Sequence, residues 1–194
     1  MPRVLPAALA LLLALTPALA RPVAGGPAGV VGLDGRPLDP LAPAPGVTAT
    51  VLVFTMTDCP ISNRYAPELR RLDEAFRARG VRFWLVYPKR EDDAAAIRAH
   101  GAVFAQGIPA VRDPQLSLVR ATGVSVTPEV AVFDAAGTVR YRGRIDDRYV
   151  EFGVDRPAPT RHDLEDALTH VLAGTRVPEP VTRAIGCFLA DLRP

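Results

Sequence analysis

Thr50-Val51-Leu52-Val53-Phe54-Thr55 is a run of β-favouring residues in which the four central positions are all apolar. A strand wet on one face alternates apolar with polar residues, whereas a continuous run is buried on both faces, as in the middle of a layered sheet. The run predicts a central strand. Asp58-Cys59-Pro60 breaks it, and proline suits the first position of a helix, where its missing N–H goes unused. Tyr65, Leu69, Leu72 and Phe76 then recur at helical spacing, which predicts an apolar stripe packed on the sheet. That helix is expected to be kinked at Pro67 and to end at Gly80.

Val81 to Tyr87 repeats the buried-strand pattern and is closed by Pro88. Glu91-Asp92-Asp93 favour a helix start through the macrodipole, giving a helix to about His100 with Gly101 as its stop. Residues 102–112 read as loop or short strand. Asp113-Pro114 opens a short helix ending at Gly123. Glu129 to Phe133 reads as a third strand, turned by Asp134 to Gly137 into a fourth, Thr138 to Gly143, and so short a connection makes the pair antiparallel. Thr160-Arg161-His162-Asp163 resembles a capping box with Asp in place of Glu. It opens a helix carrying Leu164, Ala167, Leu168, Val171 and Leu172 and ended by Gly174. Val30 to Leu33 with Asp34-Gly35 suggests a short edge hairpin. The order of elements implies an α/β fold: a mixed central sheet, its parallel part built by crossovers, with helices on both faces.

Arg3, the apolar run Leu5 to Leu15 and Ala18-Leu19-Ala20 have the layout of a secretory signal peptide. The run is too short for a membrane span and contains Pro6, with Pro17 just beyond it. The expectation is therefore an exported protein, periplasmic or extracellular, with no membrane span in the mature chain. The expected organisation is a signal peptide over 1–20, a flexible lead-in rich in Pro, Gly and Ala over 21–46, one domain over 47–174, and a tail over 175–194. Cleavage after Ala20 leaves 174 of the 194 residues, with 22 basic against 21 acidic side chains. A balance so close to neutral argues against nucleic acid as a partner.

Two cysteines, Cys59 and Cys187, survive cleavage. They are too few for a disulfide scaffold, so the core must hold the fold. Cys59 sits where a buried strand hands over to a helix, a position whose free N–H groups and dipole favour the thiolate, the nucleophilic form. Asp58 opposes this by its charge, and Arg64, one turn on, is a candidate to offset it. A buried structural cysteine is the alternative. Thr127-Pro128 directly precedes the third strand, where a proline must stand clear of the ladder; a cis bond satisfies that, as does an ordinary trans proline at a strand start. The histidines, His100, His162 and His170, read as solvated helix residues. Asp146, Asp147 and Glu151 read as a turn paired with arginines such as Arg144 and Arg148, and Trp84 as core. No metal and no cofactor is expected.

The segment Phe54 to Ser62 resembles the active-site junction of the thioredoxin superfamily. Pro67 is similar to the proline of that family's helix, Thr127-Pro128 to its cis-proline loop beside the active cysteine, and Asp134 to Gly137 to the turn between its last two strands. Asp58 to Tyr65, Gly143 to Tyr149 and the Gly186-Cys187 tail resemble exported bacterial redoxin-domain proteins. The resemblance implies a thioredoxin-like three-layer sandwich, with Cys59, Thr127 and Pro128 as catalytic residues and protein or small-molecule thiols and disulfides as partners. The sequence departs from thioredoxins at Ser62, which stands where Cys-x-x-Cys has its second thiol. Met56 and Leu52 stand where peroxiredoxins carry Thr and Pro. Three activities stay open: a thiol–disulfide oxidoreductase, a peroxide-reducing redoxin and a non-enzymatic partner-binding domain. Cys187 is open too, as a static disulfide partner of Cys59, a mobile resolving thiol, or a bystander or link to another chain.

Overall fold

The computed structural model describes residues 28–104 and 107–189; the expected signal peptide lies outside them. In chain order the elements are β1 (Val31–Gly32), β2 (Ala49–Phe54), α1 (Pro60–Arg64), α2 (Ala66–Arg77), β3 (Val81–Tyr87), α3 (Ala94–Phe104), β4 (Ala110–Arg112), α4 (Ser117–Thr122), β5 (Val126–Thr127), β6 (Glu129–Asp134), β7 (Val139–Gly143), β8 (Tyr149–Glu151), β9 (Val154–Asp155), α5 (Asp163–Leu172) and β10 (Cys187–Phe188). The main sheet has six strands in the order β1-β4-β3-β2-β6-β7. Strand β2 lies between β3, parallel, and β6, antiparallel, so all its residues are buried. Its side chains divide between the two faces. Val51 and Val53 pack with Leu69, Leu72 and Phe76 of α2 and Leu164 and Leu168 of α5. Leu52 and Phe54 pack with Leu118 and Val119 of α4 on the other face. Alternation fails in the sequence because both faces are covered. The fold is the mixed, helix-flanked α/β sandwich that the element order implies.

Alone on the second face, α4 leaves room, and the lead-in fills it. Val30 is buried there with Leu38 and Leu41 against it, and β1 closes the sheet edge by pairing with β4. Residues 30–41 thus belong to the domain rather than to a flexible leader. The tail also packs: Val177 is buried in the first cluster and Leu189 in the second.

Local signals yield to tertiary ones at three places. The helix expected to kink at Pro67 is two helices, broken at Tyr65. Pro67 falls in the first turn of α2, where its missing N–H costs nothing. Gly101 does not stop α3, which runs on to Phe104; an interior glycine weakens a helix without having to end it. The capping box does not form. Thr160 turns its hydroxyl to Asp147, 2.6 Å away, and Arg144 Nε donates to Asp163 at 2.7 Å. The short helix α4 starts later than Asp113-Pro114, but Asp113 caps it from a distance, accepting from the N–H groups of Ser117, Leu118 and Val119 at 2.7, 2.9 and 3.1 Å.

Candidate redox site

Cys59 follows the turn that closes β2 and is the N-cap of α1, with an extended backbone (φ −85°, ψ 106°). Its carbonyl accepts from Asn63 N–H at 3.1 Å, while its side chain caps nothing and is left for other work. The residue is fully buried, with 0 % exposure. The Thr127–Pro128 peptide bond, between β5 and β6, is cis. Cys59 Sγ lies 3.1 Å from the Thr127 carbonyl oxygen, to which the thiol form donates.

Cys187 comes to the same point from the far end of the chain, its Sγ 2.7 Å from that of Cys59 across 128 residues of sequence. Both are free thiols. Strand β10 brings it there by pairing antiparallel with β5, Cys187 opposite Thr127 and Phe188 opposite Val126. The approach is so close that residue 186 has no room for a side chain: a Cβ there would lie 2.1 Å from the Thr127 carbonyl oxygen. The structure thus gathers Cys59, Thr127, Pro128 and Cys187 into one site. It removes the bystander placement of Cys187 without choosing between a static and a mobile partner.

Burial alone would push the Cys59 thiol up. The Cys187 thiol and the Ser62 and Thr127 side chains, joined by the Ser62 N–H, outweigh burial and hold it below its ordinary value. The Ser62 and Thr127 hydroxyls are buried without a hydrogen-bond partner among the described residues, and their influence on Cys59 favours its anion. Burial first, and then the hydrogen bond and charge of Cys59 with the charge of Asp58, push Cys187 the other way, up to about 12. The proton of the pair therefore stays on Cys187, and Cys59 is the more readily ionised of the two. A helix dipole contributes little here, since α1 has five residues. The Asp58 charge is met not by Arg64, which reaches Asp155 at 3.4 Å, but by Lys89, whose Nζ donates to Asp58 at 2.5 Å.

A part-buried polar chain braces the turn and α1. Burial lowers the His100 pKa, so the ring is neutral. Its Nδ1 faces Tyr87 Oη at 2.8 Å and its Nε2 faces Asn63 Oδ1 at 2.6 Å. Because Asn63 offers an oxygen, Nε2 donates and Nδ1 accepts from Tyr87. Thr57 is held through both its N–H and its hydroxyl by Asp92, at 3.1 and 2.5 Å. Sequence reasoning missed this brace, since nothing local links positions 63, 87 and 100. The remaining polar candidates are structural. Asp146 accepts from Tyr65 Oη at 2.5 Å, and Asp147 holds the 160–161 backbone. His170 pairs with Thr175 at 2.9 Å. His162 converges with Glu68 and Glu165, but the Arg71 guanidinium already binds both carboxylates. Trp84 is partly buried at the edge of the second cluster.

The model of the family described as Redoxin matches residues 26–153. The chain belongs to the Redoxin family. The match includes Cys59, Thr127 and Pro128 and stops short of Cys187. Among solved structures, the redoxin is similar to an uncharacterized conserved protein from Geobacillus kaustophilus: 24 % identity, TM-score 0.70, 83 % of this chain and 86 % of that one covered. A hypothetical protein from Sinorhizobium meliloti 1021 is similar at 22 % identity and TM-score 0.68, over 85 % of this chain and 92 % of that one. A secreted Mycobacterium tuberculosis disulfide oxidoreductase homologous to Escherichia coli DsbE is similar at 21 % identity and TM-score 0.50, over 75 % of this chain and 93 % of that one. At these identities the likeness is one of fold, and it makes the redoxin thioredoxin-like. No curated protein matches the chain. Among the described residues no helix is long and apolar enough to cross a membrane.

Proposed function

We propose that this redoxin is an exported thiol–disulfide oxidoreductase in which Cys59 is the nucleophile and Cys187 the resolving thiol. The observation that carries the reading is the 2.7 Å approach of the two sulfurs beside the Thr127–Pro128 bond. The missing second thiol of Cys-x-x-Cys is then supplied from the tail, while Ser62 in its place favours the Cys59 anion. Cys59 attacks one sulfur of a substrate disulfide, forming a mixed disulfide and releasing the other sulfur as a thiolate. Cys187 attacks Cys59 Sγ, releases the second substrate thiol and leaves the 59–187 disulfide. Two enzyme thiols are oxidised as one substrate disulfide is reduced, and the reverse sequence oxidises a substrate dithiol. Thr127 and Pro128 shape the groove, the backbone ahead of the proline offering its polar groups to an extended substrate.

The test is turnover of insulin or glutathione disulfide with a dithiol donor. Wild type is expected to be active and Cys59→Ser inactive, with Cys187→Ser stalled as a mixed disulfide detectable by mass spectrometry. Equal activity in wild type and Cys59→Ser overturns the reading.

A further inference from the structure

Strand β5 has one partner in its small sheet, and that partner is the tail strand β10. Cys59 has 0 % exposure, and the seated tail sets Cys187 Sγ 2.7 Å from its sulfur. No external disulfide reaches the nucleophile while the tail is seated, so the seat itself must change hands.

The tail is fixed in two stages. At 180–182 it is bound to β7: Arg142 N–H donates to the Pro180 carbonyl at 2.9 Å, Thr182 N–H to the Arg142 carbonyl at 3.0 Å, and Arg144 N–H to the Thr182 hydroxyl at 3.1 Å. At 187–189 it is bound to β5 and the segment before it, ending with Leu189 N–H on the Ser125 carbonyl at 3.2 Å. Between them Arg183, Ala184 and Ile185 make no hydrogen bond to any other described residue. The distal piece can therefore lift about 183–185 while the proximal anchor stays in place.

The seated piece also defines what fits. The position before the cysteine lies on the Thr127 peptide, where a Cβ would stand 2.1 Å from the carbonyl oxygen, 2.6 Å from its carbon and 3.2 Å from Pro128 N. These are backbone atoms that cannot swing aside, so the position takes glycine. The residue after the cysteine, Phe188, is 68 % exposed and borders two hollows of about 830 and 380 Å³, which leave room for a large apolar side chain. The next position, Leu189, is buried among Leu52, Phe54 and Leu118.

We propose that residues 186–189 are a built-in stand-in for the substrate, and that the substrate class is an extended polypeptide segment reading glycine-cysteine-apolar-apolar, which takes the place of β10 on β5. This rests on the redox reading of Cys59. The incoming segment pairs with Val126–Thr127 in the tail's register, and its disulfide sulfur meets Cys59. One sulfur of that disulfide becomes bonded to Cys59 Sγ, and its former partner leaves as thiolate. The tail then returns, and one movement does two things. It delivers Cys187, which attacks Cys59 Sγ and displaces the peptide thiol, and it retakes the strand position from the product. The family match ends at residue 153, before the tail.

The test uses the mature full-length protein carrying Cys187→Ser, which traps the mixed disulfide. The probes are two pentapeptides, Ala-Gly-Cys-Phe-Leu and Ala-Val-Cys-Phe-Leu, each with its cysteine as a thiopyridyl disulfide, and the hydroxyethyl thiopyridyl disulfide. Each rate is normalised to the probe's rate with free glutathione. The glycine peptide is expected to label Cys59 at least about tenfold faster than the valine peptide, a factor equivalent to ~1.4 kcal/mol. Adding Gly186→Val, which unseats the tail, is expected to speed the small probe. Equal rates for the two peptides, with the small probe reactive, overturn strand exchange and leave the redox reading standing. If no probe reacts with Cys59 in either variant, the redox reading fails and this inference falls with it.

Discussion

At Cys59 reactivity is a contest between burial, which disfavours the anion, and the donors around the sulfur, which favour it; the donors win. A thiol held below its ordinary value is ionised at lower pH, so removing a donor must move its titration upward. Ser62→Ala removes the hydroxyl that stands where a second thiol would be, and Cys187→Ala removes the thiol donor. Both are expected to shift the pH profile of Cys59 alkylation to higher pH and to slow labelling several-fold below the ordinary thiol range. The check is iodoacetamide labelling followed by mass spectrometry across pH; an unchanged profile in Ser62→Ala would show that this hydroxyl plays no part. Sequence made Cys59 and Thr127-Pro128 visible because each interrupts a strong local pattern, a buried strand passing into a helix and a proline entering a strand. The role of Ser62 was hidden because a serine in that position reads only as a missing thiol. Lys89 was hidden because its partner, Asp58, is 31 residues away.

The elements show the same division. Strand β2, buried throughout, and strand β3, buried on one face and along its last three residues, were legible to within a residue or two because burial itself makes their sequences largely apolar. The segment between β7 and α5 was not, because its order comes from long-range side-chain contacts, those of Asp147 among them. Asp147 accepts from Thr160 N–H, Thr160 hydroxyl and Arg161 N–H, at 2.6, 2.6 and 2.9 Å, and so takes Thr160 from the capping box its sequence suggests. Burial pushes the Asp147 carboxyl up; these donors, with Arg156, overcome it and hold it well below the ordinary carboxylate range. A carboxyl whose folded pKa is depressed contributes stability above its unfolded value, ~3.9, and that contribution is lost as pH falls through the folded value. Asp147→Asn, which can accept at one oxygen and sets an NH2 group against the other donors, is expected to cost ~1–3 kcal/mol at neutral pH. It should also flatten the acid limb of the stability profile. Urea unfolding of both proteins at pH 7 and pH 3 checks this: the difference between them should shrink at the lower pH.

For the whole molecule, the tail is the part whose sequence carries no signal of where it goes. Residues 175–189 have no long apolar stripe, and their position depends on small-scale fits: Gly143 leaves space for Thr182, where a Cβ would lie 2.2 Å from its hydroxyl oxygen, and Gly186 leaves space for the Thr127 peptide. If the 59–187 bond forms, it ties this tail to the redoxin body and closes a loop spanning 128 residues of sequence. Cross-linking stabilises chiefly by removing freedom from the unfolded chain, and a loop of this length corresponds to about 4–5 kcal/mol before native strain is subtracted. For a chain of this size that is an increase in Tm of about 10 °C. The comparison is thermal unfolding of the mature protein after mild diamide oxidation and after full reduction, with Cys187→Ser treated in parallel. Wild type is expected to gain stability on oxidation and the variant to gain none. Because the two sulfurs stand 2.7 Å apart when reduced, the second thiol is at hand once diamide has added to the first, so oxidation should go to completion intramolecularly without dimer. A wild-type protein whose Tm is the same in both states would mean that the two sulfurs meet without bonding, and that electrons leave Cys59 by another route.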